Sequence, residues 1–378
     1  MPRAPEAVNR RSMRILLVVT NLTGGGAERA IINLASGLRN RGHRPHIVLL
    51  ENLVAYAVPD GIPVSALTGR ERQISNNWLA KWWAARKLRR TYLRLTETEP
   101  FDLTISTLPF ADQVVQHAGL PNVWYRIANT LSSEVDMLAR SARYKAARRR
   151  ARYRSLYNGQ RLIAVSNAVA ADIVGRMSIK PARLVTIYNP FDHEQIRKLA
   201  AAHDPDIPAE PFLLHVGRFQ PQKRHDLLLD AFKVASLPHR LALLAQPSEE
   251  LSKMIAERGL QSRVTVFGFR QNPFPWYARA AAVVLSSDRE GMPNVLVEAL
   301  ICNTPVVSTD CPSGPSELLQ GAMRHWLVPC GDVAALAAKM REVVERRPAI
   351  GPEILAPFSK DLTLDAIEAL AEPVSDAR

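Results

Sequence analysis

Short apolar runs recur along the chain, separated by polar turns and stretches with helical spacing. The first run is Ile15–Val19, and the glycine turn Gly24-Gly25-Gly26 follows it. Ala30, Ile31, Leu34 and Leu38 then fall at helix spacing, Gly42 closes the pattern, and His46–Leu50 is a second apolar run. Strand, glycine turn, helix, strand is a βαβ unit. Leu103–Ser106, Val123–Arg126, Leu162–Val165 and Leu184–Ile187 continue the alternation, which predicts a mostly parallel sheet.

The pattern breaks at Tyr188-Asn189-Pro190 and the proline-containing stretch 203–211. It then restarts with Phe212–Val216, a helix over 224–235, Leu241–Ala245, Val264–Phe267, Ala281–Ser286, a helix over 294–302 and Pro305–Ser308. The expected fold class is α/β: two Rossmann-like, doubly wound domains facing a central cleft, with ligands at the carboxyl ends of the strands. The expected segments are a disordered tail over 1–12, domains over 13–190 and 191–358, and a C-terminal helix over 359–378 that folds back on the first domain.

Composition narrows the class. Hydrophobic residues are 47% and charged residues 22% of the 378, which is ordinary for a chain with buried cores. Cys302, Cys311 and Cys330 are too few and scattered for a disulfide framework or a zinc cage. No run reaches the roughly 18 apolar residues of a membrane span. The run after the basic N-terminus is shorter than the h-region of about 7–15 residues in a signal peptide. The expected location is cytosolic, including the cytosolic face of a membrane. Charge is unevenly placed: residues 1–190 carry a net +17 and residues 191–378 a net −4. Only the first half should attract an acidic surface.

The strongest local constellation is SSDREGMPNVLVE, Ser286 to Glu298. A strand ends in a loop bearing Glu290, Gly291 permits a tight backbone, and Pro293 suits a helix start. The N-terminal amides of that helix make a seat for phosphate. Glu298 can accept two hydrogen bonds from a ribose diol, and Glu290 can hold sugar hydroxyls. Plain capping by acidic residues is the competing reading. In HVGRFQPQKRHD, Arg218 and Lys223 follow a strand end and can clamp a diphosphate. Solvated surface cations are the alternative. Gly24–Gly26 lacks the spacing of a dinucleotide fingerprint and of a P-loop. Asp204-x-Asp206 lies in the proline-containing linker and reads as solvated loop rather than a metal site.

These pieces together resemble a retaining glycosyltransferase of the GT-B class, family 4. The matching elements are Gly24–Gly26 with Ala27-Glu28-Arg29, Tyr188-Asn189-Pro190, Gly217-Arg218 with Lys223, Val266-Phe267-Gly268, Glu290-Gly291-Met292-Pro293-Asn294 with Glu298, and Ser313-Gly314-Pro315 with Glu317. The resemblance implies a C-terminal domain that binds a nucleotide sugar, UDP-linked, and an N-terminal domain that binds the acceptor. It assigns the diphosphate to Arg218 and Lys223, the ribose to Glu298 and the donor sugar to Glu290. It gives phosphate to amides near Asn294 and Val295. Phe267, Gly268 and Arg270 border the base, and Gly25 and Gly26 approach the donor from the other domain. Gly291, Met292 and Pro293 complete the donor loop. No metal or cofactor is expected. Two departures stand out. Gln246-Pro247 replaces a Gly-x-Gly turn, and TLPFADQ replaces a loop that often carries histidine. Asp112 is the candidate there, with an exposed helix-start aspartate as the equal alternative. His117 belongs on the following helix.

Two basic runs suggest a partner. WLAKWWAARKLRRTYLRL, residues 78–95, places Trp78 and Trp82 among Arg86, Arg90 and other cations with no acid. Arg140–Arg154 holds eight basic residues and no acid. Both suit an anionic bilayer and a glycolipid or lipid-linked acceptor. The first run also fits a core-facing aromatic stripe with a solvated back. Nucleic acid is disfavoured, since no motif supports it. The expected function is transfer of a hexose or N-acetylhexosamine in surface glycan synthesis at the inner membrane. A nucleotide-sugar epimerase and a non-catalytic binding module for an anionic membrane or polymer are the alternatives.

Overall fold

The computed structural model describes residues 11–371. The tail expected over 1–12 therefore lies outside the described residues up to residue 10. The chain packs as two compact units, Met1–Tyr125 with Glu368–Arg378, and Arg126–Ile367.

Each apolar run forms a strand, with ends shifted by one or two residues. One sheet contains β1 (Arg14–Val19), β2 (Arg44–Leu49), β3 (Val64–Ala66), β4 (Leu103–Thr107), β5 (Val123–Ile127), β6 (Arg161–Ala164) and β7 (Arg183–Thr186) in the order β3-β2-β1-β4-β5-β6-β7. The other contains β8 (Phe212–Val216), β9 (Arg240–Leu244), β10 (Val264–Val266), β11 (Ala282–Leu285), β12 (Val306–Thr309) and β13 (Leu327–Val328) in the order β10-β9-β8-β11-β12-β13. β1 pairs in parallel with β2 and β4, and β8 with β9 and β11. Ile15 to Val19 are wholly buried, as a strand covered on both faces requires. The break near 190–210 falls between β7 and β8. β3 and β13 went unread because each is a short outer strand with little apolar signal.

In each sheet the strand order reverses once, between β1 and β4 and between β8 and β11. Ligands of open α/β sheets bind at such reversals, beyond the carboxyl ends of the strands. In the first sheet Gly24–Gly26 follow β1, and Asp112 lies on the helix Pro109–Ala118 after β4. In the second, Arg218 and Lys223 follow β8 and Glu290 follows β11. The charged candidates thus share one reversal of the second sheet.

The basic runs form helices. The helix Trp78–Leu95 starts at Asn77, whose Oδ1 accepts the Ala80 amide at 2.8 Å. It buries Ala84, Ala85, Leu88 and Tyr92 against the Pro109–Ala118 helix. The aromatic stripe is not the core face: Trp78 is 74% and Trp82 51% exposed, and Trp83 is exposed too. Small alanines on the inner face bring the two helices close and turn the tryptophans outward. Lys81 is buried instead and donates to Gln113 at 2.9 Å. The second run is only half solvated. Arg149 pairs with Glu134, and Arg150 and Arg154 donate to the carbonyls of Arg176 and Met177 at 2.6 and 2.8 Å. Arg140, Arg143, Lys145, Arg148 and Arg152 are exposed.

Near the chain end the helix Lys360–Glu368 is docked by two bonds, Lys360 N–H to the Phe191 carbonyl at 2.9 Å and the Thr363 hydroxyl to the Tyr188 carbonyl at 3.2 Å. Glu368 pairs with Arg41 and His43 at 3.0 and 3.1 Å.

Candidate active site

Lys223 is placed by its neighbours rather than by a long helix. It ends a single 3-10 turn, Pro221–Lys223, and Arg224 after it is left-handed with φ 50°. That turn is tied to the loop after β11. The Ser286 hydroxyl donates to the Lys223 carbonyl at 2.7 Å, the Asp288 amide to the Gln222 carbonyl at 3.0 Å, and the Gln222 side chain to the Arg289 carbonyl at 2.8 Å. Arg224 spans Asp226 and Asp288 at 2.8 and 3.0 Å. Gly217 leaves room for the lysine stem, since a Cβ there would lie 3.4 Å from Lys223 Cδ. The Lys223 ammonium then meets Glu290 Oε1 at 2.7 Å. Arg218 is exposed one residue past Gly217.

The Glu290 loop is gripped from several sides within the same unit. Glu290 is 7% exposed. Its carbonyl accepts the hydroxyls of Thr130, at 2.8 Å, and Ser313. The Gly291 carbonyl accepts the Ser166 hydroxyl at 2.9 Å. Gly291 is required by contact: a Cβ there would lie 2.1 Å from the Ala128 carbonyl oxygen. The helix Asn294–Ile301 begins right after, with Pro293 before it and Met292 buried beneath. The Asn294 amide is turned back onto the Met292 carbonyl at 2.9 Å, so it is not the outward-facing amide the sequence suggests. Glu298 is buried on this helix and accepts the Tyr277 hydroxyl at 3.0 Å. Glu317 accepts the amides of Asn167 and Ala168 at 2.9 and 3.2 Å and the Tyr188 hydroxyl.

Behind Lys223 lies a buried histidine pair, His215 and His225, with ring centroids 4.8 Å apart. His215 Nδ1 donates to the Val284 carbonyl at 2.9 Å, while His215 Nε2 and both His225 nitrogens have no partner. Burial, with Lys223 nearby, pushes the His225 pKa down to about 4. His215 is held well below the ordinary range by burial and by His225. Both rings are neutral at pH 7, so among the described residues the cations at this strand end are those of the arginines and Lys223.

Other candidates are placed differently from expectation. Arg270 pairs with Asp206 at 2.5 Å and with Asp204 at 3.7 Å, and Trp276 donates to Asp204 at 2.7 Å. Asp204 is thus an engaged, half-buried side chain, while Asp206 stays exposed and pairs at the surface. Phe267 stacks obliquely on Trp276 at 4.6 Å, and Gly268 has φ 80°, a conformation suited to glycine. In the first unit, Asp112 is fully buried and accepts the Ser106 hydroxyl at 2.6 Å. It is therefore not the exposed helix-start aspartate. Gly25 is the extended residue just before the helix Gly26–Asn40. Sequence reasoning missed Thr130, Ser166, Tyr277 and the histidine pair, since only the fold brings them to the site.

Comparison with known proteins gives the family and the fold. Residues 24–195 match the family model described as Glycosyltransferase Family 4, and residues 210–346 match that described as Glycosyl transferases group 1. The chain is 27% identical over 319 residues to an N-acetylgalactosamine-N,N'-diacetylbacillosaminyl-diphospho-undecaprenol 4-alpha-N-acetylgalactosaminyltransferase of Campylobacter jejuni, covering 80% of this chain and 82% of that one. Among solved structures, sucrose-phosphate synthase of Thermosynechococcus elongatus aligns with a TM-score of 0.75 at 16% identity, over 95% of this chain and 98% of that one. HepE of Anabaena in complex with UDP aligns with a TM-score of 0.68 at 23% identity, over 94% and 99%. The chain belongs to the GT-B glycosyltransferases of family 4.

Two outcomes follow from the packing. Gly291→Ala should lower unfolding free energy by about 1–3 kcal/mol, read by urea titration, because the methyl meets backbone that has no room to retreat. Acid should weaken the fold through His225. Its folded pKa of about 4 lies below the ordinary 6.5, so the unfolded chain takes up the proton first. The stability is full above about 6.5 and is lost as pH falls toward 4. Between pH 7 and pH 5 the loss should be about 2 kcal/mol. It should shrink in His225→Gln when denaturation is compared across that range.

Proposed function

We propose that the enzyme transfers a hexose or N-acetylhexosamine from a UDP-linked donor, with retention, to a glycolipid or lipid-linked acceptor in surface glycan synthesis. The observation that carries this reading is the Lys223–Glu290 pair at the reversal between β8 and β11, with Arg218 exposed beside it. A diphosphate entering here meets Lys223 and Arg218, which stabilise the charge growing on the departing nucleoside diphosphate. These two cations take the part that a metal plays elsewhere. Lys223 then shares its donors between Glu290 and phosphate, and Glu290 is left to accept the hydroxyls of the donor sugar. Glu298, oriented by Tyr277, is the ribose acceptor. The names of the relatives support the substrate classes: the Campylobacter protein uses a diphospho-undecaprenol acceptor, and the Anabaena structure holds UDP.

A membrane-bound acceptor would be met by the exposed face of the helix Trp78–Leu95. Arg86 lies 4.6 Å over the Trp82 ring and Lys87 5.1 Å over Trp83, which joins cation and aromatic as the headgroup region demands. No helix among the described residues is long and apolar enough to cross a membrane. The reading places the enzyme on the cytosolic face of the inner membrane, held by surface contact.

The donor is found by screening nucleotide sugars for thermal shift and for diphosphate release, with and without a membrane extract. Anomeric NMR of the product reads retention. Glu290→Gln keeps an acceptor for Lys223, so the fold should survive while transfer falls about a hundredfold. Wild-type turnover in that variant would remove Glu290 from the site. Interconversion of the donor sugar without release of nucleotide would replace transfer by epimerisation. For the membrane contact, a Trp78→Ser/Trp82→Ser double variant should lose co-sedimentation with phosphatidylglycerol vesicles and keep its affinity for UDP. Unchanged vesicle binding would assign that contact elsewhere.

A further inference from the structure

The histidine pair behind Lys223 is fully buried, and three of its four ring nitrogens have no partner among the described residues. Burying unpartnered polar atoms costs stability, and the placement of the pair supplies a reason for it. β8 pairs with β9 as far as Val216↔Leu244, but its pairing with β11 ends at Leu214↔Val283. The next carbonyl on β11, that of Val284, accepts from His215 Nδ1 at 2.9 Å. A side chain thus ties the two strands together just past the end of their ladder, where they lead into the Lys223 and Glu290 loops. A carbonyl only accepts, so Nδ1 carries the proton and Nε2 of this neutral ring keeps a lone pair. That nitrogen lies beside Gly217. A Cβ on Gly217 would stand 3.3 Å from His215 Nε2 and 3.4 Å from Lys223 Cδ and Cε. The ring and the lysine stem therefore border the same small space. His225 meets His215 edge to face at 4.8 Å and Phe219 edge to face at 5.2 Å. Phe219 follows Arg218 in the chain. Three rings in a row thus run from the stem of Lys223 to the residue next to Arg218.

We propose that His215 and His225 are positioning residues for the two diphosphate cations: His215 seats Lys223, and His225 seats the Arg218 loop through Phe219. Neither histidine touches the donor. Aliphatic side chains could fill the same volume, but they could not hold the Val284 carbonyl, and they lack the preferred edge-to-face geometry of ring pairs. His215 contributes its ring and its Nδ1. His225 contributes its ring, since both of its nitrogens go unused among the described residues. The inference rests on the transferase reading above and adds to it the residues that aim its cations.

The test compares Kd for UDP and for uridine, by calorimetry, together with melting temperature, in wild type, Gly217→Ala, His215→Phe, His225→Ala and His225→Phe. Uridine lacks the diphosphate, so misplaced cations weaken UDP and leave uridine unchanged. Gly217→Ala should cut UDP affinity about 10-fold, because its methyl presses on His215 and Lys223 in a space that is otherwise open. It sits at the rim of the core, so it reads the lysine seat even where a histidine variant fails to fold. His215→Phe keeps a ring but loses the bond to Val284, and should weaken UDP to a similar degree. His225→Ala should do the same, whereas His225→Phe should return UDP to within about twofold of wild type. A purely structural role predicts that UDP and uridine weaken together in step with melting temperature, and that result overturns the proposal. Wild-type UDP affinity in Gly217→Ala and His215→Phe overturns it as well, and a loss in His225→Phe equal to that in His225→Ala overturns the ring role of His225. Failure of the wild type to bind UDP or any UDP-sugar would instead overturn the transferase reading on which the proposal stands.

Discussion

A lysine from the end of β8 and a glutamate from the end of β11 meet at 2.7 Å only if both strand-to-helix loops are fixed. Neither loop has a ladder of its own to fix it. The work falls to side-chain hydroxyls and amides that hold backbone carbonyls: Ser286 on Lys223, Gln222 on Arg289, Thr130 and Ser313 on Glu290, Ser166 on Gly291. Each such bond adds only about 1 kcal/mol net, but together they remove the freedom of the loops before any ligand arrives. Binding then spends little on ordering the site. The close approach of Gly291 to the Ala128 carbonyl belongs to the same design, because a side chain there would lift Glu290 away from Lys223.

The two sheets repeat one winding but carry different chemistry at their reversals. After β8 and β11 come two exposed or half-buried cations and a nearly buried carboxylate. After β1 and β4 come glycines and the fully buried Asp112, which holds Ser106. Asp112 also helps raise the pKa of buried Tyr125, after burial itself. A diphosphate needs cations, and it is the second reversal that carries them. The first offers backbone and small residues.

Most of the fold was legible because buried parallel strands are continuous apolar runs, and such runs stand out without knowledge of their partners. β3, read as VSA, and the two-residue β13 were not legible, since pairing to a neighbour rather than composition makes them strands. The helix character of the run 78–95 was readable from its spacing, yet its buried face was not. Its tryptophans fitted both a bilayer-facing and a core-facing stripe, and alanines and Leu88 form the buried face instead, because small side chains permit close helix packing. In the site, Glu290, Lys223 and Arg218 were visible from type and spacing. Thr130, Ser166 and Tyr277 act through partners 21 to 160 residues away. No local window contains both halves of such a contact. Asp204 misled for the same reason, since Arg270 and Trp276 lie more than 60 positions on.

The distribution of charge within the site bears on how it attracts its ligand. Lys223 is already paired with Glu290, so to a distant anion that couple is close to neutral. The histidines behind it are uncharged at pH 7 because of burial. Arg224 is committed to Asp226 and Asp288. Arg218 is exposed, and Arg126 is buried with no carboxylate partner among the described residues. In a medium of low dielectric an uncancelled charge reaches further than a paired one. In the proposed reading, exposed Arg218 supplies the attraction, and Lys223 becomes a donor to phosphate when Glu290 finds other partners. Sugar hydroxyls are such partners. The pair thus favours a ligand that brings a diphosphate and a polyol together over one that brings a diphosphate alone.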